Sequence, residues 1–224
     1  MNLERNRIEK ELSTVIADIL QEEINKIGVA SLAVSGGSTP DGLFKLLSMC
    51  EIEWEKVYVF PVDERLLPNG HEEQNGTKIK SMLLQKKAKK AKFIPLLYDS
   101  DNPLLNLNAA NTALDKISFP ITVSVLGMGN DGHTASLFPN SNGTKEGLNT
   151  NSKERLVNVL PKEAPYQRIS FTANTIKASK RLFLHIYGAD KQVVLENARR
   201  SKDSMKYPIH AFLNHDHFQI YWSN

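Results

Sequence analysis

Residues 121–139 read Ile-Thr-Val-Ser-Val-Leu-Gly-Met-Gly-Asn-Asp-Gly-His-Thr-Ala-Ser-Leu-Phe-Pro, and their reading decides the fold. Ile121 to Leu126 form a short β-branched and apolar run, the pattern of a strand covered on both faces. The run empties into a loop with glycine at 127, 129 and 132, and Ser136 lies at an expected helix start. A buried strand, a glycine loop and a helix make up the repeating unit of a parallel α/β sheet.

The same unit recurs upstream and downstream. Val29 to Val34 is a second buried run, followed by Ser35-Gly36-Gly37-Ser38-Thr39-Pro40. A helix should follow, with Ser38 or Thr39 as its cap, Pro40 in its first turn, and Leu43, Phe44, Leu46 and Leu47 on its inner face. Val57 to Val62 is a third strand, irregular near its end because Pro61 cannot donate to the ladder, and it leads into Asp63-Glu64-Arg65. Helical spacing marks Ile8, Leu12, Val15, Ile16 and Ile19 near the start, and Leu107, Ala110, Leu114 and Ile117 in mid-chain. Residues 78–92 look helical, and the run Lys86-Lys87-Ala88-Lys89-Lys90 reads as a solvated helix end. The polar stretch 140–155 reads as a surface loop. Further strands are expected near 156–160, 168–172, 182–187 and 217–222, with a helix from Asp190 to Arg200. With no compositional break, residues 1–224 read as one doubly wound α/β domain, its largely parallel sheet flanked by helices.

Composition agrees with a globular enzyme-sized chain. The 224 residues carry 28 Lys+Arg against 25 Asp+Glu, a net charge of +3, and 41% are hydrophobic. Such a chain buries about 70% of its unfolded surface and needs no covalent staple. The small net charge gives no reason to expect nucleic acid as a partner. Cys50 is the only cysteine, which excludes a disulfide framework or thiolate cluster. No stretch reads as a secretory signal or membrane span, so a cytoplasmic protein with no membrane association is expected. His210, His215 and His217 with Asp216 read as a solvated polar turn, and no metal site is expected.

Four chemically loaded segments follow four expected strands: residues 35–39, residues 63–65, residues 127–133, and Gly188-Ala189-Asp190-Lys191. In a parallel sheet, strand-to-helix loops open at one carboxyl edge, where ligands bind, so these segments should face one crevice. An antiparallel placement of any one strand would remove its member. In the first loop, Gly36 and Gly37 let backbone approach a ligand closely, and free N–H groups with the hydroxyls of Ser35, Ser38 and Thr39 suit an anion such as phosphate. An ordinary glycine turn with a serine cap fits that segment equally well. Neither nucleotide-binding glycine pattern fits it, so ATP and NAD are disfavoured. Lys191, in the first turn of a helix, opposes the macrodipole unless an anion sits there too; a surface lysine beside a capping Asp190 is the alternative. Arg168 is a second phosphate candidate, or the member of a simple salt bridge. In the third loop, His133 has a ring suited to proton transfer near neutrality, and Asp131 two residues before it can orient that ring. Serine-nucleophile chemistry is disfavoured, since Gly-x-Ser-x-Gly is absent.

Taken together, SGGSTP (35–40), VDERLLP (62–68), LGMGNDGHTASLFP (126–139) and the 165–191 segment, with Pro165, Arg168 and Gly188-Ala-Asp-Lys191, resemble the 6-phosphogluconolactonases. The resemblance runs from about residue 30 to about 213. It implies a modified Rossmann-like fold, as in glucosamine-6-phosphate deaminase and ribose-5-phosphate isomerase, and hydrolysis of 6-phospho-D-glucono-1,5-lactone without metal or organic cofactor. In that reading the catalytic residues are His133, Asp131 and Arg65. Substrate and phosphate contacts fall to Ser35, Gly36, Gly37, Ser38, Thr39, Asp63, Asn75, Gly129, Arg168 and Lys191. The chain departs from the family pattern at Ile121-Thr122-Val123-Ser124, where an Asp is usual, and at Gln74-Asn75, where Ser-Asn is common. A hexosamine-phosphate deaminase or isomerase on the same fold is the enzymatic rival. Those enzymes carry a Glu after the DGH triplet, whereas residues 134–139 hold no carboxylate. A non-catalytic phosphosugar-binding protein is the rival of another class. The expected assembly is a monomer or small homo-oligomer.

Overall fold

The expected opening amphipathic helix is α1 (Leu3–Ile27), and its apolar stripe Leu12, Ile16, Leu20 and Ile24 is fully buried. The structure is a computed structural model and describes residues 3–224. After α1 come β1 (Ala30–Val34), α2 (Asp41–Leu47), β2 (Val57–Pro61), β3 (Asp63–Arg65), α3 (Asn75–Met82), β4 (Lys92–Phe93), α4 (Pro103–Leu114) and β5 (Val123–Leu126). The second half adds α5 (Thr144–Gly147), β6 (Leu156–Val159), β7 (Arg168–Phe171), α6 (Ala173–Lys177), β8 (Arg181–Tyr187), α7 (Ala189–Ser201) and β9 (Phe218–Ser223).

Six strands form one parallel sheet in the order β4-β2-β1-β5-β8-β9. Side chains of a strand alternate between faces, and both faces here are covered. Leu32, Val34, Val59 and Val125 pack under α1, α2 and α3, while Ala33, Phe60, Leu126 and Leu184 pack against α4, α6 and α7. That double burial is why these strands read as continuous apolar runs. The chain winds outward from β1 in one direction and from β5 in the other. The crevice between their carboxyl ends is therefore the topological switch point at which open α/β sheets bind ligands.

A second, three-stranded antiparallel sheet, β3-β7-β6, was not expected. Asp63-Glu64-Arg65 is thus a strand and not a strand-to-helix loop, pairing antiparallel with Arg168–Ser170. It keeps its place in the crevice because Val62 bridges the two sheets. Its amide donates to Val34 O at 2.9 Å and its carbonyl accepts from Phe171 N at 3.0 Å.

Other boundaries differ for local reasons. Residues 78–92 are not one helix: α3 starts earlier and ends at Met82, and a 3-10 turn spans Lys86–Lys90. Lys86 has φ +49, which a helix does not tolerate, and Ala88 is buried while both flanking pairs of lysines stay exposed. The lysine run is solvated as expected, with Ala88 as its anchor. Neither Ser38 nor Thr39 caps α2; Pro40 occupies the cap position with no side-chain hydrogen bond. The segment after His133 does not start a helix at Ser136. It is a tight turn with Ala135 at φ +48, closed by Thr134 and Leu137.

The 140–155 stretch is more anchored than a surface loop. Thr144 and Gly147 of α5 are buried, and Gly143 enters the helix at φ +87. A Cβ on Gly143 would meet the backbone oxygen of Asn158 at 2.1 Å, a contact that side-chain rotation cannot relieve. Gly143→Ala should therefore cost at least about 2 kcal/mol, seen as a lower urea midpoint at unchanged slope. An unaltered midpoint would show that the loop does yield.

Candidate active site

The glycine loop after β5 presents one imidazole to the switch-point crevice. Asp131 Oδ1 accepts from the backbone N–H of His133 at 3.0 Å and lies 2.6 Å from its ring Nδ1. The loop closes on itself through Gly129 N to His133 O at 2.9 Å and Gly132 N to Gly129 O at 3.1 Å. Gly129 is obligatory, since a Cβ there would fall 2.2 Å from His133 Nδ1 and 2.5 Å from Asp131 Oδ1. With Nδ1 taken by a carboxylate, the ring is fixed in one orientation and its Nε2 is left for the crevice. The ring stacks on Phe138, with centroids 4.2 Å apart. Burial works upward on the Asp131 carboxyl, but the hydrogen bond and charge of His133 outweigh it and hold it below the usual range. Asp131 is thus an anion suited to stabilising a ring that becomes charged.

The crevice is a cavity of about 290 Å³ lined by residues 35–39, Asp63, Arg65, Asn75, Gly129, His133 and Arg168. Of the expected site residues, only Asp131 and Lys191 lie off its wall. Asp131 stands behind the imidazole. The Lys191 ammonium hydrogen-bonds the Asn130 side chain in the same loop, and burial lowers its pKa against the pull of Asp190 and Asp131. Ser35 links the first and third loops by accepting from Gly127 N at 2.9 Å. Gly36 lies so close to Asn75 that a Cβ would fall 1.9 Å from its side-chain oxygen.

The two arginines sit differently. Arg65 is partly exposed and donates to the Glu73 carbonyl at 2.5 Å, with the Glu73 carboxylate at 3.7 Å. Arg168 is 5% exposed, and its Nη1 has no protein partner. Burial lowers its pKa, and Asp63 acts in the opposite direction. A buried guanidinium with an open donor on a cavity wall is a seat for an anion.

Several contributing residues carry no motif of their own. Ser136 donates to Asp63 Oδ2 at 2.5 Å, and its amide donates to Ser170 Oγ at 3.2 Å. The Glu64 carboxylate accepts from the amides of Arg65, Asn75 and Gly76 at 2.7, 2.8 and 2.7 Å, and burial raises its pKa to about 7. His185, on β8, lines the cavity floor. Helical or strand periodicity marks these positions only as interior. Among the described residues, no group of three or more His, Cys, Asp or Glu side chains is placed to hold a metal ion, and no helix is long and apolar enough to cross a membrane.

Comparison with known proteins is consistent across sequence and structure. A family described as glucosamine-6-phosphate isomerases/6-phosphogluconolactonase matches residues 4–222. A 6-phosphogluconolactonase of Rhizobium meliloti is 37% identical over 198 residues, covering 88% of this chain and 85% of that protein. The crystal structure of a 6-phosphogluconolactonase from Shewanella baltica superposes with a TM-score of 0.94 at 36% identity, covering 98% of this chain and 94% of the other. A monomeric glucosamine-6-phosphate deaminase shares the fold, with a TM-score of 0.79 at 16% identity and coverage of 97% and 93%.

His185 gives the site a pH signature. It is 3% exposed, and burial, reinforced by Arg5, lowers its pKa to about 4. An unfolded chain protonates this ring near pH 6.5, so the native state loses stability as pH falls from about 6.5 to 4. The loss is on the order of 2–3 kcal/mol. In His185→Gln, the fall of unfolding free energy across that window should shrink by this amount, measured by urea titration at each pH. An equal fall in both proteins would contradict the assignment.

Proposed function

The chain belongs to the glucosamine-6-phosphate isomerase/6-phosphogluconolactonase family, and from that membership we infer that it hydrolyses 6-phospho-D-glucono-1,5-lactone to 6-phospho-D-gluconate in the pentose phosphate pathway. The observation that carries the mechanism is the Asp131–His133 pair, whose ring faces the same cavity as the residue 35–39 loop.

The substrate's phosphate rests on residues 36–39, with Arg168 and Lys191 supplying positive charge. His133 Nε2 takes a proton from water as the water oxygen attacks C1 of the lactone, and Asp131 stabilises the imidazolium that forms. The tetrahedral intermediate collapses by breaking the bond from C1 to the ring oxygen, and the imidazolium returns its proton to that oxygen. Arg65 supplies positive charge on the cavity wall, where the carbonyl oxygen gains negative charge or beside the phosphate. Asp63 and Asn75 hold the wall together, and Gly129 makes room for the His–Asp contact. No carboxylate follows His133 in residues 134–139, which separates this site from a ring-opening deaminase. The single cysteine, which has no partner in the chain for a disulfide, suits a reducing, cytoplasmic setting.

A coupled assay that generates the lactone in situ, with the spontaneous rate subtracted, tests the reaction. His133→Gln should lower kcat by about 10²–10⁴-fold while product binding stays close to normal; an undiminished rate would refute the base. Lys191→Ala should act mainly on KM, and an unchanged KM would remove it from the phosphate site. Ammonia released from glucosamine 6-phosphate would favour the deaminase instead.

A further inference from the structure

The anion loop is held from behind by two cations that lie outside the four sequence segments of the site. Lys78, one turn into α3, donates to the Gly37 carbonyl at 2.7 Å and to Asp41 Oδ1 at 2.8 Å. Arg5, near the start of α1, donates to the Thr39 carbonyl at 2.8 Å and to Glu9 Oε1 at 2.9 Å. The same guanidinium lies 4.7 Å from the ring centre of Tyr187, the last residue of β8 and two residues before α7. Among the described residues, the amides of Gly36, Gly37, Ser38 and Thr39 donate to no protein group, and all four residues line the cavity.

We propose that Arg5 and Lys78 are positioning residues for phosphate binding, clamping the carbonyls of Thr39 and Gly37 outward so that the loop's amides are committed to the cavity. The proposal rests on the reading that residues 36–39 seat the substrate's phosphate. A glycine loop without such ties samples peptide orientations that turn a carbonyl toward the anion. Gly37 at φ +80 is the peptide most free to flip, and Lys78 grips its carbonyl. A hydrogen bond from a cation to a carbonyl is about twice as strong as a neutral one. The clamps also bring positive charge behind the loop, each balanced by a carboxylate, Asp41 for Lys78 and Glu9 for Arg5. Glu9 is 2% exposed and packs so tightly on α2 that a Cβ on Gly42 would fall 1.9 Å from its Oε2. The Arg5 clamp is thus built into the packing of α1 on α2.

The test compares the phosphorylated lactone with glucono-1,5-lactone, which lacks the phosphate, in the wild type, Lys78→Met, Arg5→Met and Lys78→Arg. Each methionine variant should lose about tenfold in the ratio of kcat/KM between the two substrates, carried by KM, the effect of about one charged hydrogen bond. Lys78→Arg should recover at least half of that loss. An unchanged ratio in a folded variant, an equal loss on both lactones, or no recovery in Lys78→Arg would overturn the proposal. If Arg5→Met does not fold, Lys78→Met decides alone. Inorganic phosphate gives a readout independent of turnover. It should raise the melting temperature of the wild type more than that of Lys78→Met, and equal shifts would count against the clamp. A wild type that hydrolyses no lactone above the spontaneous rate would instead sink the reaction assigned above, leaving the phosphate titration to judge the clamp.

Discussion

One buried carboxylate joins the parts of this site. Asp63 accepts from Ser136 Oγ at 2.5 Å through one oxygen and from Asn75 Nδ2 at 3.3 Å through the other, while its backbone carbonyl takes a second bond from Asn75 at 2.8 Å. Ser136 belongs to the turn after His133, Asn75 opens α3 and abuts Gly36, and the strand that carries Asp63 pairs with the strand that carries Arg168. Burial raises the Asp63 pKa, and Ser136, Arg168 and His133 work against that rise. Removing one partner from such a group costs far more than the net value of the bond, because a buried charge or polar atom is then left uncompensated. The imidazole loop, the residue 36–39 loop and the buried arginine therefore hold their mutual geometry through one residue.

The small antiparallel sheet is the means by which this is achieved. In a purely parallel sheet the chain after β2 would turn at once into a helix. Here Val62 satisfies its backbone groups on β1 and β7, and β3 runs on across the carboxyl edge of the main sheet. Arg65 and Arg168 then fall opposite each other in register on the cavity wall. Two like charges so close are tolerated because acidic groups face them, as Asp63, Glu64 and Glu73 do.

Much of this was legible in the chain. Short runs dominated by apolar residues mark β1, β2 and β5 within two residues of their observed ends, and their few polar members, Ser31, Thr122 and Ser124, are buried with them. Helical spacing marks α1 and α4, and the helix expected from Asp190 to Arg200 matches α7. The loops after β1 and β5 stood out because glycine, hydroxyl, imidazole and carboxylate cluster where a strand stops. The misreadings share a cause. Residues 134–137 look helical by propensity, yet Thr134 donates to Gly127 O at 2.8 Å and Ser136 is claimed by Asp63 and Ser170, partners distant in sequence. The lysine run looks like the continuation of a helix because nothing local announces that Ala88 must be buried in the same core cluster as Trp54 and Leu47.

By itself, then, the sequence determined the alternation of strands and helices, the chemistry available at each loop and the family signature around His133, since all of these are set by residues near one another along the chain. Only the tertiary structure decided that Asp63 serves as a structural hub, that Arg168 keeps an open donor, and that Arg5 and Lys78 grip the residue 36–39 loop from two separate helices. Those roles depend on which distant groups a side chain meets once water is excluded, and pairing across 34, 41 or 73 positions of chain leaves no periodic trace in the residues themselves.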